Sequence, residues 1–185
     1  SITIQGSTDG VAASNITVGS LQTEEGSILV DTNNGTVTVN GALTTGNVTV
    51  NNNPTTTGSV TLAATGDVAL NAVVTTGDRT QTSSSGDDAA ITGNIWVTSS
   101  AGAITGNGSA KLTTGNALME ADGDANTDTA TSGSITLSAL NGVQLPAADA
   151  LKTGSAAVSS ANGSDTATAG NLTVTTAGKV SSDGS

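Results

Sequence analysis

The chain has no cysteine, no histidine, no phenylalanine and no tyrosine, and only one tryptophan, Trp96, among 185 residues. Without cysteine there are no disulfide staples, which is compatible with export as an unfolded chain. Without histidine or cysteine, neither a Ser-His-Asp nor a Cys-His catalytic site can be assembled. Basic residues are nearly absent too. Four Lys and Arg stand against fifteen Asp and Glu, a net charge of −11. Such a surface repels nucleic acid, and no basic stripe interleaved with aromatics offers a site for it. No stretch approaches the roughly 18 apolar residues of a membrane-spanning helix, and no signal peptide is visible. With 35% apolar and 1% aromatic residues, a conventional globular core would be poorly filled.

What is present is a returning five-residue phrase: Gly, a small polar residue, then three strand-forming positions. It occurs as Gly26-Ser27-Ile28-Leu29-Val30, Gly58-Ser59-Val60-Thr61-Leu62, Gly93-Asn94-Ile95-Trp96-Val97, Gly133-Ser134-Ile135-Thr136-Leu137 and Gly170-Asn171-Leu172-Thr173-Val174. The third and fifth positions are apolar and share one strand face. Successive copies begin 32, 35, 40 and 37 residues apart, a period of repeat architectures in which each unit stacks on the last. The regular placement of branched residues argues against disorder, despite the abundance of Ser, Thr, Asn and Gly.

Further stations follow in fixed order. A second strand starts at Gly35, Gly66, Gly102, Gly142 and Gly178, where glycine is expected to supply the positive φ of a sharp corner. A third station ends in glycine, as in Leu43-Thr44-Thr45-Gly46 and Leu112-Thr113-Thr114-Gly115. A fourth strand is clear in Asn47-Val48-Thr49-Val50 and Asn116-Ala117-Leu118-Met119, but nearly lost in the polar run 78–82. The segments 51–57, 83–92, 120–132 and 159–169 lack apolar alternation and read as surface inserts decorating one edge. The order of stations predicts a single all-β domain over residues 1–185, a right-handed parallel β-helix (β-solenoid) with polar loop insertions. The period alone fits either one wide turn or two narrow ones. The chain starts inside a strand pattern, Ile2-Thr3-Ile4, and stops just after Val180 without a cap pattern at either end. The expectation is a slice of a longer repeat protein, or a unit that stacks end to end on neighbouring copies.

Three features suggest chemistry. The loop 122–128 sets Asp122, Asp124, Asn126 and Asp128 at every second position, a spacing that can wrap Ca²⁺. It departs from the EF-hand, since Thr127 stands where glycine is expected and Gly133 where the bidentate Glu should be. An acidic loop without metal is the other reading. Asp87 and Asp88 form a carboxylate pair of the kind that cleaves polysaccharides, but they are expected to lie in a solvated insert. Trp96 takes the outward place that Leu29, Thr61, Thr136 and Thr173 hold in the other phrases. It either contacts a partner, a sugar ring or a protein surface, or packs under the insert before it. The outward threonines are interrupted by Leu29, Trp96, Ala69 and Gln144, which argues against an ice-ordering array. Asn-x-Thr sequons at Asn15, Asn47 and Asn171 fall at strands and carry little weight for glycosylation.

The phrases Gly133-Ser134-Ile135-Thr136-Leu137 and Leu43-Thr44-Thr45-Gly46-Asn47-Val48-Thr49-Val50, with the turns Asn34-Gly35 and Asn141-Gly142, resemble the repeat shafts of large bacterial secreted adhesins of the filamentous haemagglutinin type. The resemblance covers most of the chain and is one of repeat style. It implies a right-handed β-helix, exported and displayed as a fibre or surface shaft, and carries no functional residue with it. The expected role is therefore structural, outside the cell, with flanking repeats or further copies as partners and no enzymatic activity, nucleic acid or membrane insertion. A glycan- or protein-binding module centred on Trp96 is the second reading. A polysaccharide-cleaving enzyme is the third, and lacks an assembled set of catalytic residues.

Overall fold

A computed structural model describes residues 1–7, 13–51, 56–83, 86–121, 126–146, 150–159 and 163–182. Its strands form five sheets in which every pairing is parallel. The first sheet stacks β1 (Ile2–Gln5), β4 (Ile28–Thr32), β8 (Val60–Ala64), β13 (Ile95–Ser99), β18 (Ile135–Ala139) and β23 (Leu172–Thr176). The second stacks β2 (Ile16–Val18), β5 (Val37–Val39), β9 (Val68–Leu70), β14 (Ile104–Gly106), β19 (Gly142–Leu145) and β24 (Lys179–Ser182). The third holds β3 (Leu21–Thr23), β6 (Leu43–Thr45), β10 (Val73–Thr75), β15 (Lys111–Thr113) and β20 (Leu151–Lys152). The fourth holds β7 (Val48–Asn51), β11 (Arg79–Ser83), β16 (Ala117–Ala121) and β21 (Ala156–Ser159); the fifth holds β12 (Ala89–Ile91), β17 (Thr129–Thr131) and β22 (Thr166–Thr168).

The chain is a parallel β-helix, and each period makes one wide turn. Register follows the five-residue phrase, with Ile28 on Val60, Val60 on Ile95, Ile95 on Ile135 and Ile135 on Leu172. Because side chains alternate, Ile95 and Val97 point inward and are fully buried while Trp96 points out. Burying each such branched residue contributes about 1.5 to 3 kcal/mol. The column widens along the chain. Its first coil passes directly from β3 to β4, the second adds β7 and a single bridge from Thr56 to Ile91, and among the described residues the third is the first to carry a full strand of the fifth sheet.

That fifth sheet lies inside segments expected to be surface inserts. The polar stretches contain Asp88, Ala90, Thr92, Asp128, Ala130 and Ser132, all buried. The series Asp-x-Ala-x-hydroxyl-Gly recurs at 88–93 and 128–133, and with Ala169 in the hydroxyl place at 165–170. The rest of the expected inserts, residues 52–55, 84–85, 122–125 and 160–162, lies outside the described residues.

The interior is divided in two. One apolar core lies under the first three sheets, and a smaller one, Ala90, Ala117, Met119 and Ala130 with Ala156 and Val158 against it, lies under the fourth and fifth. Between them runs a spine of hydroxyls and glycine backbone. Thr76 Oγ1 donates to Gly93 O across the coil at 2.9 Å and accepts from Gly115 N of the next coil at 3.1 Å. Thr45 and Thr114 repeat this pattern from one corner. Thr57, Thr92 and Ser132 return it from the opposite corner. Replacing Thr76 by Val removes one donor and one acceptor from two buried backbone groups, so a loss of about 2 to 4 kcal/mol is expected in denaturant unfolding. Thr76→Ser keeps both bonds, as Ser132 does at its own rung, and is expected to lose less than half as much.

The glycines opening the second strands have a different cause from the one expected. Only Gly142 takes a positive φ, +123°. At Gly35, Gly66, Gly102 and Gly178 a Cβ would instead meet backbone of the coil beneath, for example Ser14 O at 2.5 Å from the position at Gly35. Close stacking, not corner geometry, requires glycine at these four places.

Candidate functional site

Trp96 sits in the middle of the outer face of the first sheet, between Thr61 and Thr136 in register, and is 39% exposed. Buried Ile95 and Val97 on either side fix its direction. The strand therefore presents the indole between two threonines, an arrangement suited to contact with a sugar ring or a flat protein surface.

The acidic loop is described only in part. Asp122 and Asp124 lie outside the described residues. Asn126 is half-buried, and Asp128 is only 1% exposed. Asp128 Oδ1 accepts the Asp88 amide at 2.9 Å, and the Asp128 amide in turn donates to Asp165 Oδ1 at 2.9 Å. Asp87 Oδ1 accepts the Thr127 amide at 2.9 Å. These carboxylates extend the inter-coil hydrogen bonding, and Asp128 is turned toward the interior. Among the described residues no group of three or more His, Cys, Asp or Glu is placed to hold a metal.

Asp88 corrects a second expectation, since it is buried rather than set in a solvated insert. Its Oδ1 accepts Gln81 Nε2 at 3.1 Å, and Gln81 Oε1 accepts Arg79 Nη2 at 2.5 Å. Arg79 and Gln81 are fully buried at the inward places that Ala117 and Met119 occupy one coil later. Desolvation lowers the Arg79 pKa, while the charges of Glu25 and Asp88 raise it. The guanidinium remains protonated. The sequence signal for this cluster is the alternation Arg79-x-Gln81, which has strand period but the wrong polarity for an ordinary core. Asp87 is exposed and Asp88 is turned into the column, so the pair does not flank a common substrate position.

Two of the three sequon asparagines are engaged in stacking. Asn15 Oδ1 accepts the Thr36 amide at 3.0 Å, and Asn47 Oδ1 accepts the Asp78 amide at 2.8 Å. The last described coil presents an apolar face. There Leu172 is 52% exposed and Val180 58%, although the equivalent Ile28, Ile95, Val37 and Ile104 are fully buried. An open apolar depression of about 300 Å³ lies on this face. Among the described residues no helix is long and apolar enough to cross a membrane. Compared with protein-family models, curated proteins and solved structures, the chain matches none.

Proposed function

We propose that this chain is a structural segment of an extracellular bacterial fibre or surface adhesin shaft. The observation that carries the reading is the uninterrupted stack: six rungs in the first two sheets, held in register by branched residues inside and by Ser, Asn and Asp ladders at the corners. Such a column supplies length and stiffness, and its outer faces are free to vary. The repeat style of filamentous haemagglutinin-type adhesins supports placement outside the cell, as does the lack of cysteine. Flanking coils of the same kind are its proposed neighbours. Immunogold electron microscopy of cells that make the protein tests this: label along surface fibres is expected, and label confined to the cell interior would overturn it.

A second reading, binding of a glycan or protein through Trp96, is favoured by that residue's exposure on a rigid strand. Trp96 is the sole aromatic residue, so its fluorescence reports directly on occupancy. Trp96→Ala is expected to change stability by no more than about 1 kcal/mol, as for a partly exposed position, while removing any affinity seen in a glycan or surface-protein screen. Unchanged affinity in that variant would take Trp96 out of the site.

A further inference from the structure

One turn in the middle of the column differs from its counterpart in the coil beneath. Between the second and third sheets the third coil passes from Leu70 to Val73 through two residues, but the fourth coil carries the four-residue turn Asn107-Gly108-Ser109-Ala110. Asn107 O accepts the Ala110 amide at 2.9 Å, and Ala110 is buried while Asn107, Gly108 and Ser109 are exposed. Asn107 Oδ1 accepts the Ser109 amide, also at 2.9 Å. The Gly108 amide has no partner among the described residues, and nothing lies within 4 Å of a Cβ placed on Gly108.

An Asn-Gly pair can modify itself when the glycine amide reaches the asparagine side chain. Here Gly108 N would bond to Asn107 Cγ, the Cγ–Nδ2 bond would break, and Nδ2 would leave as ammonia with the proton from Gly108 N. Water then opens the cyclic imide at either carbonyl, which leaves aspartate or isoaspartate. Negative charge develops on Asn107 Oδ1 as the ring closes, and the Ser109 amide that already donates there is placed to stabilise it. Gly108 lies outside the strands and can take the backbone angles that ring closure requires.

Asn-Gly also occurs at 34–35, 40–41, 141–142 and 162–163. Asn162 lies outside the described residues, and the other three pairs are held. At Gly35 and Gly41 a Cβ would strike Ser14 O and Ser20 N of the coil beneath, so neither glycine has room to move. Asn40 Oδ1 is also engaged by Asn71 Nδ2 at 2.9 Å. Asn141 ties its leaving nitrogen to Ala101 O at 2.8 Å, and Gly142 is fixed in β19 against Lys179. We propose that Asn107 is a self-modification site, the place among the described Asn-Gly pairs where the folded column deamidates first. Each event adds one carboxylate to the outer corner between the second and third sheets. The extra backbone methylene of isoaspartate is taken up in a turn that the third coil does without. This inference is independent of the shaft reading and needs no partner.

The test incubates the whole chain at mildly alkaline pH, in buffer and in denaturant, and follows the peptides around Asn34, Asn40, Asn107 and Asn141 by mass spectrometry. In buffer, conversion of Asn107 is expected to outpace the other three by about tenfold or more, because only there can the reacting atoms approach. In denaturant the four pairs share the same local chemistry, and their rates are expected to converge. Gly108→Ala is expected to slow conversion of Asn107 in the folded chain, since a Cβ hinders the attacking nitrogen. Earlier conversion at Asn34, Asn40 or Asn141, the same ranking in buffer and denaturant, or a rate untouched by Gly108→Ala would each overturn the proposal.

Discussion

Replacing Gly115 by Ala is expected to cost more than about 3 kcal/mol, a large part of the stability of an ordinary domain. The new Cβ would lie 2.0 Å from Gly77 O and 2.3 Å from Gly77 C, both of them backbone. Neither atom can move aside cheaply. Gly77 O accepts the Thr57 hydroxyl and Gly77 N donates to Thr45 Oγ1, so a shift would break the spine on both sides. The strands on either side of Gly77 are also held by β6 and β7 below and by β15 and β16 above. Gly108→Ala is the control, because nothing lies within 4 Å of a Cβ there, and a change of no more than about 0.5 kcal/mol is expected. Urea midpoints of the two variants read the contrast directly. Equal tolerance would mean that the coils are not in contact at this corner.

Arg79→Ala is expected to cost about 3 to 5 kcal/mol, because it leaves the buried carboxylate of Asp88 without its cation and Gln81 without a donor. One coil later Ala117 and Met119 hold the places of Arg79 and Gln81, so an apolar version of that pair already exists in the chain, with buried Asp128 in the place of Asp88. The triple variant Arg79→Ala, Gln81→Met, Asp88→Ala removes the charges together. It is expected to be at least as stable as the parent, following the general behaviour of buried ion clusters replaced by apolar residues. A neutral single variant would show that Arg79 reaches water, and a triple variant as weak as the single would show that the cluster stabilises the column outright.

The first three sheets were legible in the sequence because their inward positions are Ile, Val and Leu in strict alternation, as in Ile95 and Val97. The fifth was hidden because its inward residues are Ala90 and Ala130, too small to mark a buried strand among Ser, Thr and Asp. The strand β11 was nearly lost for the opposite reason, since Arg79 and Gln81 are large but polar, and only burial reveals that they follow the pattern of Ala117 and Met119. Whether a period made one turn or two was not written in its length; it is decided by pairings between residues a full period apart. The outward direction of Trp96 followed from parity alone. The inward turn of Asp128 did not, because it depends on the Asp88 amide 40 residues earlier in the chain. The stacked glycines were visible from the start, but their cause, backbone lying directly beneath backbone, required the coils to be placed.

The central claim is a stiff column with one coil per period, and the natural absence of cysteine makes it directly measurable by spin labels at Thr17→Cys and Gln144→Cys. Both positions are exposed on the second sheet and linked by register through Thr38, Ala69 and Thr105, four rungs apart. Pulsed electron paramagnetic resonance is expected to give one narrow distance distribution, with a backbone separation of about 19 Å once the label length is allowed for. A separation near twice that value would mean two turns per period, and a broad distribution would mean a chain too loose to serve as a shaft.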